Sequence, residues 1–189
     1  MMRIITSLRR AARAFASCPA GNATVEFAFI APVLILFYFA TVELSLALEA
    51  KRKVTSTAST IGDLVAQTEE INAAEINAIF NAADAVMQPL DVGAIQLRVS
   101  SLVMNGDGDV EVAWSRASNM TAYACAEAVV IPAGVLTPGQ SIILAETSYT
   151  YTPPIGSYLT GDIELQDTFY LRPRLSLEVD FDPDPCPGV

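Results

Sequence analysis

The clearest pattern in the chain is an apolar run close to its amino end. Residues 27–42 form 16 consecutive uncharged positions, and counting on through Glu43 to Leu48 extends the segment to 22. A helix needs about 20 mainly apolar residues to cross the hydrocarbon core of a bilayer. Pro32 lies inside the run, but membrane helices tolerate proline more readily than soluble helices do. The pattern therefore predicts a transmembrane helix.

The same helix is predicted to continue beyond the bilayer as a stalk. Nothing breaks the helical pattern before Gly62, so the helix would extend to about Gln67, roughly 68 Å from Asn22 at 1.5 Å per residue. A cleaved secretory signal fits less well, because the basic leader is long and no small-x-small site follows the run before Glu49. The segment is typical of an anchor.

A second helix is predicted at residues 69–90. Asn72 is followed three residues later by Glu75, which resembles a capping box, and Pro89 ends the helical pattern. Apolar residues recur at helical spacing, which is typical of a helix that packs one face on a core. They are Ile76, Ile79, Phe80, Ala83, Val86, Met87 and Leu90.

The period then changes to that of strands. Ile95, Leu97 and Val99 alternate with polar residues, and a Gly-rich turn at 105–109 leads into "VEVAWSR" at 110–116, which predicts a hairpin. The acids of this turn lack the twelve-residue ligand spacing of an EF-hand, so the sequence favours a plain turn over a calcium site.

The remaining elements are assigned from shorter patterns. Further strands are predicted at 141–151, 168–172 and 175–181. The connection 117–139 is predicted to be irregular with a short helical piece, and the Asp- and Pro-rich tail 180–189 to be irregular. Aromatic residues in strands are more often core than binding surface, and this is the interpretation favoured for Trp114, Tyr149, Tyr151 and Tyr170. The fold class is α+β: a long amino-terminal transmembrane helix continuing into a stalk, a second helix, then an antiparallel β-sheet head.

The distribution of charge argues against nucleic-acid binding by the body. Residues 54–189 carry four arginines against 18 acids, a formal net charge of −14. Nucleic-acid recognition needs a basic footprint, and anionic lipid would repel a body this acidic if it lay flat on the membrane. The leader, in contrast, has Arg3, Arg9, Arg10 and Arg13 and no acid.

The absence of histidine argues against an enzyme. It removes the usual general base, the Ser-His and Cys-His pairs and the commonest metal ligand. No phosphate-binding glycine motif and no C-x-x-C occurs either. We therefore expect no catalytic residues, no cofactor and no metal.

Of the three cysteines, Cys18 precedes the apolar segment, whereas Cys125 and Cys186 follow it. If the body is exported, the second and third form an even pair suited to one disulfide, which would stabilise the fold by roughly 4 kcal/mol through chain entropy. The alternative is two unrelated small apolar residues. The sequence favours the disulfide.

Glu26 stands directly before the apolar run, where a carboxylate is costly and raises a functional hypothesis. It is the fifth residue after Gly21, which ends the basic leader, and Phe27 opens the apolar helix. The stretch "GNATVEFAFIAPVLILFYFATVEL" resembles the TadE-like pseudopilins of the tight-adherence (Flp) pilus system. Weaker matches follow in the expected order: "IGDLVAQ", "VEVAWSR", "SYTYTP" and "FYLRPR".

The resemblance implies a minor pseudopilin, cut between Gly21 and Asn22 by a membrane-embedded prepilin peptidase. Glu26 would then pair with the freed ammonium of Asn22 on a neighbouring subunit and set its register. The domains implied are a leader at 1–21, a transmembrane helix at 22–48 and an exported domain at 49–189. The family often has an arginine soon after the position of Glu43, whereas here the first basic residue is Lys51, and no function is assigned to Glu43.

Partners and location follow from the same resemblance. The partners implied are the prepilin peptidase, other pilins or pseudopilins and the inner-membrane assembly platform. Four arginines precede the segment and three basic residues follow it, so the positive-inside rule favours a cytoplasmic amino terminus only narrowly. This places the protein in the bacterial inner membrane as a single-pass protein with a periplasmic domain. The alternative is an uncleaved anchored binding or scaffold domain, in which Glu26 is dispensable.

Overall fold

A computed structural model describes residues 19–157 and 161–186 of the chain. The elements of these residues include the α-helices α1 at Pro19–Ala66 and α2 at Ala73–Met87, and a short 3₁₀ turn at Val92–Ala94. The strands are β1 at Glu70–Asn72, β2 at Ile95–Met104, β3 at Val110–Ser118, β4 at Ser141–Tyr151, β5 at Ile163–Leu171 and β6 at Asp180–Asp182. The long helix, the second helix and the antiparallel sheet follow one another as predicted, so the α+β fold class is confirmed.

Helix α1 is 48 residues long and continues through Pro32. It ends at Ala66, one residue before the position expected from the sequence. The chain forms two compact units, of which the first ends at Ser45 and the second begins at Leu46. In the second unit α1 buries Val54, Ile61 and Val65, which recur on one face of the helix.

Helix α2 starts with the capping box that the sequence predicts. The Asn72 side chain accepts hydrogen bonds from the backbone N–H groups of Ala74 (2.9 Å) and Glu75 (3.1 Å). The Glu75 carboxylate in turn accepts from the backbone N–H of Asn72 at 3.0 Å. These bonds satisfy N–H groups that have no partner within the helix. The stripe of buried residues comprises Ile76, Phe80, Ala83 and Met87.

The four-stranded sheet has the order β3-β2-β4-β5, and all of its neighbours are antiparallel. One face packs Ile95, Leu97 and Ala145 against the second part of α1 and against α2. The opposite face buries Leu102 and Leu144 beneath the connection between β3 and β4. Both faces receive side chains from the same strands, because successive side chains along a strand point to opposite sides of the sheet.

Several sequence predictions for the head are wrong in detail. The tail is not irregular throughout, because β6 pairs in parallel with β1 and aligns Phe181 with Ile71. The strand predicted at 175–181 is reduced to these last residues, since Leu175 and Leu177 are exposed in bends. The connection after β3 contains turns and one isolated bridge, Glu111 to Ala128, in place of a short helix. Strand β5 also starts five residues earlier than predicted.

Gly62 allows α1 to approach the sheet closely. A Cβ atom built at this position would lie 2.5 Å from Leu171 Cδ1 and 3.0 Å from Ala145 Cβ. The leucine end can move aside, but the alanine Cβ is fixed to the β4 backbone. A side chain here therefore overpacks the interface between helix and sheet.

We expect Gly62→Val to lower the free energy of unfolding by about 1–3 kcal/mol. The measurement is denaturant unfolding of the full chain in detergent, followed by circular dichroism. Gly106→Val is the matched control, because no atom lies within 4 Å of a Cβ at Gly106; its effect should stay within about 0.5 kcal/mol. Equal effects at both positions would contradict the close approach.

Candidate functional site

The first part of α1 exposes a continuous apolar surface. Within the described residues, α1 is the one helix long and apolar enough to cross a membrane, and none of its most apolar window is buried by the rest of the chain. Phe27 is 66% exposed, Leu36 67% and Phe37 68%. So large an apolar surface needs a non-aqueous environment. The segment fits a single-pass membrane anchor.

Two hydroxyl groups inside this segment bond to their own helix. The Thr41 hydroxyl donates to the Phe37 carbonyl at 2.8 Å, and the Ser45 hydroxyl donates to the Thr41 carbonyl at 2.9 Å. Such bonds to the preceding turn satisfy a hydroxyl where water is absent. The segment can therefore enter hydrocarbon without uncompensated hydroxyl groups at these two positions.

Glu26 is an exposed carboxylate at the amino end of the apolar surface, next to the exposed Phe27. Gly21 and Asn22 belong to the helical backbone of α1. The leader residues 1–18, including Cys18, lie outside the described residues. Cleavage between Gly21 and Asn22 and the role of Glu26 in assembly remain predictions.

Three basic residues, Lys51, Arg52 and Lys53, follow the apolar segment, and we call them the basic triplet. Lys53 donates to the carbonyls of Gln88 at 2.6 Å and Val86 at 3.3 Å, at the carboxyl end of α2. A cation is favourable at this end of a helix. Lys53 therefore joins α1 to the end of α2.

Lys51 makes the corresponding contact with the sheet. Its ammonium pairs with Asp167 at 3.1 Å and also bonds to the Gln166 carbonyl, while Thr55 donates to the same carboxylate. Burial alone would raise the pKa of Asp167, but the hydrogen bonds from Thr55 and Lys51 outweigh it, so the pKa lies below the usual range. Asp167 is thus an ionised anchor for α1 on β5.

A groove of about 400 Å³ runs along α1 beside β5. Arg52, Ser56, Ser59 and Thr60 line its helical side, at positions that share one face of the helix, and Phe169 lines the strand side. Arg52 is exposed. The groove thus combines an apolar side, hydroxyl groups and a guanidinium.

On the other face of the sheet, Arg98 is enclosed by partners. It pairs with both oxygens of Glu146, at 2.6 and 2.8 Å, and donates to the Tyr123 hydroxyl at 2.7 Å and the Thr121 carbonyl at 3.0 Å. Its guanidinium also lies 3.7 Å above the Tyr123 ring. The network holds the connection after β3 on the sheet. Its charged and polar groups satisfy one another's hydrogen-bonding capacity.

The aromatic residues of the head mostly pack as core. Trp114 is buried and donates to the Val179 carbonyl at 2.7 Å, and its ring lies 5.3 Å from that of Phe181. Tyr149 and Tyr151 are buried as well, and Tyr170 is partly buried against the sheet face that contains Leu102 and Leu144. The interpretation of these residues as core is therefore confirmed.

Acidic residues gather at two places in the head. At the hairpin turn, the Asn105 side chain accepts from the backbone N–H groups of Asp107 and Asp109, which fixes a turn. Glu178 lies near the tail, and burial, followed by the charges of Asp180 and Asp184, raises its pKa. Within the described residues, no group of three or more acids or cysteines is arranged to hold a metal ion.

Cys125 and Cys186 form a disulfide in the structure. The bond ties the tail after β6 to the connection after β3, across 61 residues of sequence. The Cys186 N–H also bonds to the Asp184 side chain at 2.8 Å. The tail is therefore held to the head by a covalent bond in addition to the β1–β6 ladder.

Residues 21–62 match the model of the TadE-like protein family. The resemblance inferred from the sequence is thus confirmed over this segment, which starts at the glycine of the predicted cleavage site. No curated protein and no solved structure matches the chain. A TadE-like segment with an apolar helix indicates a membrane protein related to the tight-adherence pilus.

The residues at the start of α1 are evident from the sequence, whereas the contacts that follow the membrane segment are not. Lys51 and Asp167 are 116 residues apart in sequence, and no local motif links them. The only sequence signal was the position of the basic triplet directly after the apolar run. It indicated a membrane boundary, and gave no information on which carbonyl or carboxylate each side chain would meet.

Proposed function

We propose that the protein is a minor pseudopilin that takes part in assembly of a tight-adherence pilus and is processed after Gly21 by a prepilin peptidase. The observation that carries the proposal is the TadE-like match, which starts at residue 21 and includes Glu26 at the amino end of an exposed apolar helix. Processing frees the amino group of Asn22, which becomes the first residue of a chain whose fifth residue is the carboxylate Glu26.

The mechanism is assembly by charge pairing at the membrane boundary. The Glu26 carboxylate of one subunit pairs with the Asn22 ammonium of its neighbour, while apolar residues such as Phe27 contact other helices. A subunit out of register leaves these charges without partners in a poorly solvated place, so the pair selects the correct alignment. The protein acts by interaction and is not an enzyme.

The topology that goes with this function has a cytoplasmic leader, one span of the inner membrane and a periplasmic head. The Cys125–Cys186 disulfide supports an oxidising compartment for the head. The partners are the prepilin peptidase, other pilins or pseudopilins and the assembly platform in the inner membrane.

The test is to determine the amino-terminal sequence of the membrane-resident protein from cells with and without the prepilin peptidase. We expect a chain that starts at Asn22 only when the peptidase is present. A chain that keeps its leader in both strains would reject the proposal, and would favour an anchored binding or scaffold domain that is never processed.

A further inference from the structure

Arg52 differs from the other described cations in its surroundings. Within the part of the chain that the structure describes, it makes no hydrogen bond, ion pair or ring contact, whereas each other basic side chain has a partner. These partners are Asp167 for Lys51, the Gln88 carbonyl for Lys53, Glu146 for Arg98, Phe181 for Arg116, the Val135 carbonyl for Arg172 and Asp63 for Arg174. Arg52 is therefore the cation available to an external anion.

The groove beside Arg52 has the composition of a site for an amphipathic anion. The hydroxyls of Ser56 and Ser59 make no hydrogen bond to other described residues, so they are available as donors, while Phe169 supplies an apolar side. The nearby Asp167 carboxylate is already taken by Lys51 and Thr55. Glu49, one turn before Arg52, is exposed and forms no ion pair with it within the described structure.

The position of the groove on α1 favours a lipid headgroup as the anion. Arg52 lies four residues beyond Leu48, the last residue of the apolar segment, on the same helix. Residues at this point of an anchor meet the headgroup layer. The rest of the body has a net charge of −14 and repels an anionic surface, so attraction is confined to this one place.

We propose that the groove between α1 and β5 binds the headgroup of one anionic phospholipid, with Arg52 on the phosphate and the hydroxyls of Ser56 and Ser59 on its oxygens. The bound lipid fixes the depth of the head at the membrane boundary. The site belongs to the folded head and does not depend on processing at Gly21, so it stands or falls separately from the pseudopilin function.

The test is native mass spectrometry of the full chain in nonionic detergent, titrated with dioleoyl phosphatidylglycerol or dioleoyl phosphatidylcholine. We expect one phosphatidylglycerol to be retained per chain and phosphatidylcholine to be lost. Arg52→Gln should weaken retention about 5-fold, the effect of one basic residue near a lipid surface. Arg172→Gln, which removes the same charge from an exposed position, is the matched control and should leave retention unchanged.

Two further measurements distinguish lipid binding in the groove from diffuse electrostatic attraction and from the binding of free phosphate. Ser56→Phe fills the groove at constant charge from an exposed position, and we expect it to weaken retention as Arg52→Gln does. Inorganic phosphate at millimolar concentration should not displace the lipid. Equal retention of both lipids, no loss in Arg52→Gln, unchanged binding in Ser56→Phe, or complete displacement by phosphate would each overturn the proposal.

Discussion

Glu26→Ala is expected to abolish pilus assembly while leaving membrane insertion intact. Alanine is more apolar than glutamate, so the anchor loses nothing on transfer into the bilayer. What the proposed mechanism loses is the carboxylate that pairs with the amino terminus of the next subunit. The Asn22 ammonium then has no counter-charge in the assembled bundle, and removal of one partner from a poorly solvated pair typically costs about 3–5 kcal/mol. A loss of this size at each contact prevents a polymer from forming.

The measurement is the amount of pili sheared from cells, together with the amount of protein in the membrane fraction. Glu43→Ala is the matched control, because it removes the second carboxylate of the same helix, and it should keep near wild-type piliation. Glu26→Gln separates charge from size, and should fail like the alanine variant. Wild-type piliation in Glu26→Ala would remove this residue from the mechanism. Wild-type piliation in Glu26→Gln would exclude the charge pair.

The elements predicted well are those whose signals are local in sequence. The capping box of Asn72 and Glu75 fixes the start of α2 within four residues. Strand β4 was predicted with its observed bounds because it is long and rich in β-branched and aromatic residues. The end of α1 at Ala66, predicted at about Gln67, follows from a sustained helical pattern. In each of these cases the physical cause lies within the segment itself.

The elements missed depend on partners far away in the chain. Asp180–Asp182 looks irregular by composition, and becomes a strand only because β1 supplies its ladder and Phe181 finds a buried place beside Trp114. β1 was assigned to the following helix for the same reason. A three-residue strand has too little internal pattern to be recognised before its partner is known.

The candidate site divides in the same way. Gly21, Glu26 and the apolar run form a contiguous motif, so they were found from the sequence. The groove at Arg52 arises where α1 meets β5, and the partner of each lysine in the basic triplet is set by tertiary packing. Lys51 and Lys53 each have a partner in the folded head, whereas Arg52 has none among the described residues. No property of the sequence "AKRKV" reveals this difference.

Loss of the disulfide is expected to destabilise the head by about 4 kcal/mol, because the bond closes a loop across 61 residues and restricts the unfolded chain. Beyond β6, the tail has few other attachments. The ladder to β1 is three residues long, and the contacts of Phe181 and Val179 with Trp114 precede the cysteine. Cys186→Ser therefore removes the main constraint on the last described residues.

The measurement is the free energy of unfolding of the full chain in detergent, with and without reductant, alongside non-reducing mass mapping. Reductant should destabilise the wild type and leave the Cys125→Ser/Cys186→Ser variant unchanged. Either single serine variant should be destabilised as much as the double variant, since each abolishes the same bond. Cys18→Ser in the unprocessed chain is the control and should have no effect. Two free thiols at Cys125 and Cys186 in protein purified from the membrane fraction without reductant would contradict both the bond and the oxidising location that it supports.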